Sequence, residues 1–234
     1  MTLEHVRDQK FTVAEQVYTL LVSLFIGLLL LTNVITSKYV QVQGFVFTAG
    51  AMTYPLMLMV FNLITELYGK SKAKVAISLG FLASILMMGM LASCHHLTIH
   101  ASSPFTKEAF EAIVGFTPGV VVGSLVAYLT SQLLDVYVFS SLKRLTSGKY
   151  LWLRTHVSAL LSQLVDTIMF ATVAWIVFPF IDNTQVLHPI AWHTLYVIIR
   201  NEYFLKVLFN IMSIPIVYAS VYGIKRYITK GEEE

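Results

Sequence analysis

Read from its N-terminus, the chain alternates long apolar runs with short polar breaks. Six runs have the roughly 20 mostly apolar residues that a membrane helix needs: about 16–36, 50–68, 73–94, 118–140, 156–180 and 195–222. The last is long enough to begin in the interface before it enters lipid. Between the first two runs, "KYVQVQGFVF" alternates apolar and polar residues around Gly44. That period of two predicts a short hairpin, or a loop folded back over the bundle. Trp175 and Trp192 flank the stretch 181–191, where interfacial aromatics are expected. The pattern as a whole predicts an all-α integral membrane protein, six transmembrane helices in one bundle, with a hairpin-like outer loop after the first. Segment 1–15 precedes the bundle, 16–226 forms it, and 227–234 is an acidic tail.

Composition strengthens this reading. Of 234 residues, 56% are hydrophobic and 12% charged, against roughly 25% charged in soluble domains. The mean hydropathy is +0.71. The length suits one bundle and no soluble second domain. The single cysteine, Cys94, cannot form an internal disulfide. The net charge of +3 comes without a basic run interleaved with aromatics, so no nucleic-acid partner is expected. The first apolar run lacks a small-residue cleavage site and reads as a retained span. No Walker A motif occurs, which excludes a P-loop ATPase, and no cofactor is expected.

Basic residues set the orientation. Arg7 and Lys10 precede the first run; Lys70, Lys72 and Lys74 join the second and third. Lys143, Arg144, Lys149 and Arg154 join the fourth and fifth, and Lys225, Arg226 and Lys230 follow the sixth. The opposite loops hold Lys38 and Lys107. Twelve against two places both termini in the cytoplasm.

Candidate chemistry lies in polar residues inside the apolar runs. "SQLLDVYVF" at 131–139 returns as "SQLVDTIMF" at 162–170. Helical spacing puts Gln132, Asp135 and Phe139 on one face, and Gln163, Asp166 and Phe170 likewise. Counting inwards from Lys143, Asp135 lies about 12 Å deep and Gln132 about 16 Å. From Arg154, Gln163 lies about 13 Å deep and Asp166 about 18 Å. In antiparallel helices each glutamine is then nearly level with the other helix's aspartate. An intramembrane acid costs on the order of 2.5–3.5 kcal/mol to insert, whereas interhelical hydrogen bonds contribute about 0.6–2 kcal/mol. Packing alone would be served by neutral groups, so the acids point to a substrate or ion site. Ser131 and Ser162 read as packing residues.

Two further clusters share this character. Asn62 and Glu66 lie four residues apart in "FNLITELYGK", where Glu66 either faces a ligand or pairs with the nearby lysines. In "RNEYFLKVLFN", Glu202 and Lys206 have the favourable order for a helical ion pair, with Asn210 a turn further. That pair either neutralises itself or meets a ligand. Asn33, near the end of the first run, suits capping or ligand contact. "HHLTIH" gives His96 and His100 a metal-compatible spacing without further convergent ligands, so no metal is expected.

"AGAMTYPLMLMVFNLITELYG", "SQLLDVYVFSSLKR", "LWLRTHVSALLSQLVDTIMF" and "EYFLKVLFNIMSIPIVY" together resemble the queuosine precursor transporter family, over about residues 30–226. The resemblance implies a six-span bacterial inner-membrane importer of 7-deazaguanines such as preQ0, preQ1 or queuine, used to salvage tRNA modification. It also implies a fold similar to the substrate-binding subunits of energy-coupling-factor vitamin transporters. The family's polar motifs fall on Asn62, Glu66, Gln132, Asp135, Gln163, Asp166, Glu202 and Lys206. Family members often carry aspartate where this chain has Asn62. A guanine-like edge presents a ring N–H and an exocyclic amine that one carboxylate can accept together. An amide or lysine can donate to the ring carbonyl, and Tyr54, Phe139 or Phe170 can stack on the ring.

The partners expected are a small-molecule base and the lipid bilayer, with a homodimer left open. One alternative is a substrate-binding subunit served by separate ATPases. Another is an intramembrane aspartyl protease, in which Asp135 and Asp166 would share a proton. The "GxGD" signature of such proteases is absent.

Overall fold

The structure is a computed structural model and describes residues 12–95, 97–100, 102–104, 106–147, 151–181 and 189–233. Helix α1, Val13–Ile35, opens with a capping box. Thr12 Oγ1 accepts from the Glu15 N–H, and Glu15 Oε2 accepts from the Thr12 N–H, so two of the helix's unpaired donors are satisfied.

Helix α2, Gly50–His95, is broken at Gly69, whose φ of 79° and ψ of 170° lie outside the helical region. A left-handed φ at this point favours glycine. Straight, the 31 residues from Thr53 to Ser84 would extend about 46 Å. Instead Thr53 Oγ1 lies 2.6 Å from Thr32 Oγ1, and Ser84 Oγ accepts from Asn33 Nδ2 at 3.1 Å. Both ends thus meet consecutive residues of α1. At the other end Tyr68 Oη donates to the Ala14 carbonyl and Tyr18 Oη to that of Lys72. The helix therefore folds back into two antiparallel legs flanking α1, as the separate runs 50–68 and 73–94 predict. Leu21, Val22 and Phe25 pack between Val60, Leu63 and Ile64 of the first leg and Ala73 and Ala76 of the second.

A short helix, α3 (Lys107–Val114), leads into α4, Thr117–Leu145. Then come α5, Leu151–Thr172, a π-helical turn at Val173–Val177, and α6, Phe178–Ile181. Helices α4 and α5 run antiparallel at close range. A Cβ on Gly123 would sit 3.1 Å from Ala174 Cβ and 3.2 Å from the Phe170 carbonyl oxygen; one on Gly119 would sit 2.8 Å from Phe178 Cδ1. Glycines four residues apart let two helix backbones approach in this way.

Helix α7, Trp192–Glu233, bends by 43° between its Trp192–Ser213 and Pro215–Thr229 parts. The bend falls at Pro215, which cannot donate to the helical ladder. Among the described residues, four helices are long and apolar enough to cross a membrane, or five with α7 taken as one bent span. This is an all-helical integral membrane protein with one small hairpin.

That hairpin is β1, Tyr39–Val42, paired antiparallel with β2, Phe45–Thr48. Gln43 and Gly44 both have positive φ, 48° and 86°, the signature of a two-residue I′ turn. The hairpin folds onto the bundle, where Asn201 Nδ2 donates to the Val46 carbonyl at 2.8 Å and Phe45 stacks on Phe204. Tyr39 packs on Trp175, with ring centroids 5.3 Å apart. Trp175 is therefore not an interfacial anchor as expected. It is 1% exposed, enclosed by Tyr39, Phe116 and Phe170. Trp192 is 69% exposed.

Candidate functional site

The five long helices and the base of the hairpin surround a cavity of about 480 Å³. Its walls carry Asn33 of α1; Tyr54 and Asn62 of α2; Gln132 and Asp135 of α4; Gln163, Asp166 and Phe170 of α5; and Glu202, Lys206 and Asn210 of α7. The sequence-predicted residues are thus brought together from all five helices, with two exceptions. Glu66 is exposed and is not among the lining residues, as its place beside the lysine-rich break allows. Phe139 lies a turn beyond Asp135 and is not among the lining residues.

Hydrogen bonding rearranges the partnerships that spacing suggests. Lys206 does not pair with Glu202, one turn away on its own helix. Its Nζ donates to Asp166 Oδ2 on α5 and to Thr167 Oγ1, both at 3.1 Å. The Lys206 side chain is 12% exposed and that of Asp166 31%. Nζ also lies 4.9 Å from the centre of the Tyr54 ring, a cation–π distance. Gln163 Nε2 donates to Tyr54 Oη at 3.3 Å, while Gln163 Oε1 is buried without a partner. Lysine, aspartate, tyrosine and glutamine thus form one connected network on a single wall.

Glu202 has a different environment. It is 4% exposed, and its Oε1 accepts from both the N–H and the Oγ1 of Thr48, at 3.1 and 2.5 Å. Thr48 itself is 2% exposed and lines the cavity. Sequence reasoning missed Thr48, because a threonine ending a strand is ordinary and nothing local ties it to a helix 154 residues away. Thr36 and Ser124 are also on the wall, with hydroxyls that donate to carbonyls of their own helices, an ordinary pattern that gives no local signal. At this end Asn33, Thr36, Thr48 and Glu202 are all buried, so the hairpin closes the cavity there. Along α4 the wall is more open, with Asp135 half-buried and Gln132 exposed.

Charge is unevenly distributed. Three carboxylates line the cavity against one ammonium, and that ammonium is bound to Asp166. Among the described residues neither Asp135 nor Glu202 forms a salt bridge. No hydrogen bond there joins Asp135 to Asp166, the contact that a proton-sharing pair of carboxyls would make. No three His, Cys, Asp or Glu side chains converge to hold a metal among the described residues, and His96 lies outside them.

Apolar helices surrounding a cavity lined with amides, carboxylates and a lysine define a membrane protein that can hold a small polar solute within the bilayer. Residues 48–220 match the family described as "Putative vitamin uptake transporter". A "Probable queuosine precursor transporter" of Bacillus subtilis (strain 168) is 33% identical over 190 residues, 80% of this chain and 77% of that protein. The "Queuosine precursor transporter" of Escherichia coli (strain K12) is 26% identical over 62% of each chain. A further "Probable queuosine precursor transporter", from Haemophilus influenzae, is 25% identical over 55% of this chain and 52% of its own length. No solved structure matches. The chain belongs to the vitamin uptake transporter family, and its relatives are named as transporters of queuosine precursors.

Proposed function

We propose that this protein imports 7-deazaguanine bases, the precursors of queuosine, across a bacterial inner membrane. The observation that carries the reading is the cavity. It is of ordinary small-ligand size, is reached by polar groups from five helices, and occurs in a chain whose relatives bear that name. A planar base offers several donors and acceptors at once, which suits a wall of amides and carboxylates. Phe170 supplies an apolar face for the ring. Gln132, Asn62, Asn210 and Asn33 would meet its polar edges. Asp135, half-buried without a cation, would receive a cationic 7-substituent. Tyr54 already carries Lys206 over one face, so it would hold that lysine in place and leave stacking to Phe170.

Six crossings fit this function. The break at Gly69 makes α2 two legs, each about the length of a bilayer, and α7 one bent span. With both termini in the cytoplasm, the hairpin lies at the outer face and the open α4 wall towards the inside. A fold like that of energy-coupling-factor substrate-binding subunits belongs to the same proposal.

The test is uptake in cells unable to make queuosine, scored by modified tRNA after feeding each precursor separately. Asp135→Asn keeps size and hydrogen bonding and leaves the Lys206–Asp166 pair intact. It should abolish uptake of a cationic precursor while folded protein remains in the membrane. Unmodified tRNA after every precursor, with the wild-type protein present, would dismiss the proposal.

A further inference from the structure

Of the three carboxylates on the cavity wall, one alone is both buried and held in a fixed orientation with an oxygen to spare. Asp166 Oδ2 is occupied by Lys206. Asp135 is half-buried, with no donor among the described residues to orient it. Glu202 is 4% exposed, and a single oxygen, Oε1, accepts both Thr48 donors. Oε2 has no partner among the described residues, and Glu202 lines the cavity. One helical turn away stands Lys206, two of whose three N–H groups are used. A carboxylate oxygen and an ammonium group one helical turn apart on the cavity wall suit a ring edge that carries N–H donors next to a carbonyl.

We infer that Glu202 reads the N–H donor edge of the base, and that Thr48 of the hairpin is the positioning residue that aims its carboxylate into the cavity. The inference rests on the function proposed above. The hairpin is then a working part of the binding site as well as its cover. Two bonds from one threonine leave Glu202 little freedom, so affinity is gained without ordering the acceptor during binding. Removing the exocyclic amine from the ligand would leave that acceptor short of a donor in a dry pocket.

The experiment measures binding of 7-deazaguanine and 7-deazahypoxanthine to purified protein in lipid nanodiscs. Wild-type protein should prefer the first by roughly ten- to a hundred-fold. Thr48→Val removes the hydroxyl donor and should narrow the preference to about three-fold or less, and Thr48→Ser should restore it. Glu202→Gln keeps an amide oxygen to accept from Thr48 and removes the charge. It should erase the preference with the hairpin docked, and it decides the matter should Thr48→Val fail to fold. A full preference retained in folded Glu202→Gln or Thr48→Val would overturn the inference. So would equal wild-type binding of both bases, which leaves the import of deazaguanines standing. Wild-type protein that binds neither base would instead remove the functional reading itself.

Discussion

Asp166→Asn isolates the role of the charge pair inside the bundle. The substitution keeps shape and removes one charge, leaving the Lys206 ammonium with Thr167 Oγ1 and the Tyr54 face. Breaking a buried ion pair by deleting one partner costs about 3–5 kcal/mol. Lys206 is 12% exposed, but Asp166, at 31%, faces the cavity, and solvent there lowers the expected loss to about 2–3 kcal/mol. Lys206→Met leaves the wetter partner alone and should cost less, about 1–2 kcal/mol. Removing both charges in Asp166→Asn with Lys206→Met should return stability close to wild type, since a neutral replacement for a buried pair is often harmless. The interaction energy from that cycle should then be about 3–5 kcal/mol in magnitude. Reversible unfolding in mixed micelles would supply the free energies. A thermal scan of the purified protein should show Asp166→Asn lower by about 4–12 °C. Strictly additive single substitutions would refute the reasoning, because the two groups would then not act as a unit.

Two glycines should respond with opposite sign to the same change. Gly123→Ala forces a methyl against Ala174 Cβ and the α5 backbone and should cost about 1–3 kcal/mol. Gly27→Ala has nothing within 4 Å and should stabilise α1 by up to about 1 kcal/mol; the same unfolding measurement reads both. For topology, cysteines placed singly at Ser103 and Ser147 in a Cys94→Ala background should react with an impermeant reagent differently. Ser103 should be labelled in intact cells and Ser147 only after permeabilisation, and the reverse pattern would invert the orientation.

Much of the architecture was legible because apolar length and period are local properties. The runs 50–68 and 73–94 anticipated the two legs of α2, and the alternation around Gly44 anticipated β1 and β2. The polar faces of α4 and α5 were legible too, since helical spacing puts Gln132 with Asp135 and Gln163 with Asp166. What spacing cannot supply is the rotation and offset of one helix against another. The i, i+4 geometry favoured Glu202–Lys206, yet the Asp166 carboxylate on a neighbouring helix captured the lysine. The offset of α4 on α5 is set by Gly119 and Gly123, whose significance appears only once Phe170, Ala174 and Phe178 lie opposite. Position beside 181–191 and side-chain type point Trp175 to the interface, and only the folded hairpin shows that Tyr39 covers it. Thr48 shows the same limit at its greatest reach, because its partner is remote in sequence.

That remoteness sets an order of biosynthesis. Thr48 and Glu202 are 154 residues apart, and a ribosome adding about 5–20 residues per second needs roughly 8–31 s to travel from one to the other. During that interval β1 and β2 have been made, but the turn of α7 that anchors them has not. The wall of the cavity at Thr48 can close only after α7 has been inserted, so an unfinished chain holds an unsealed site.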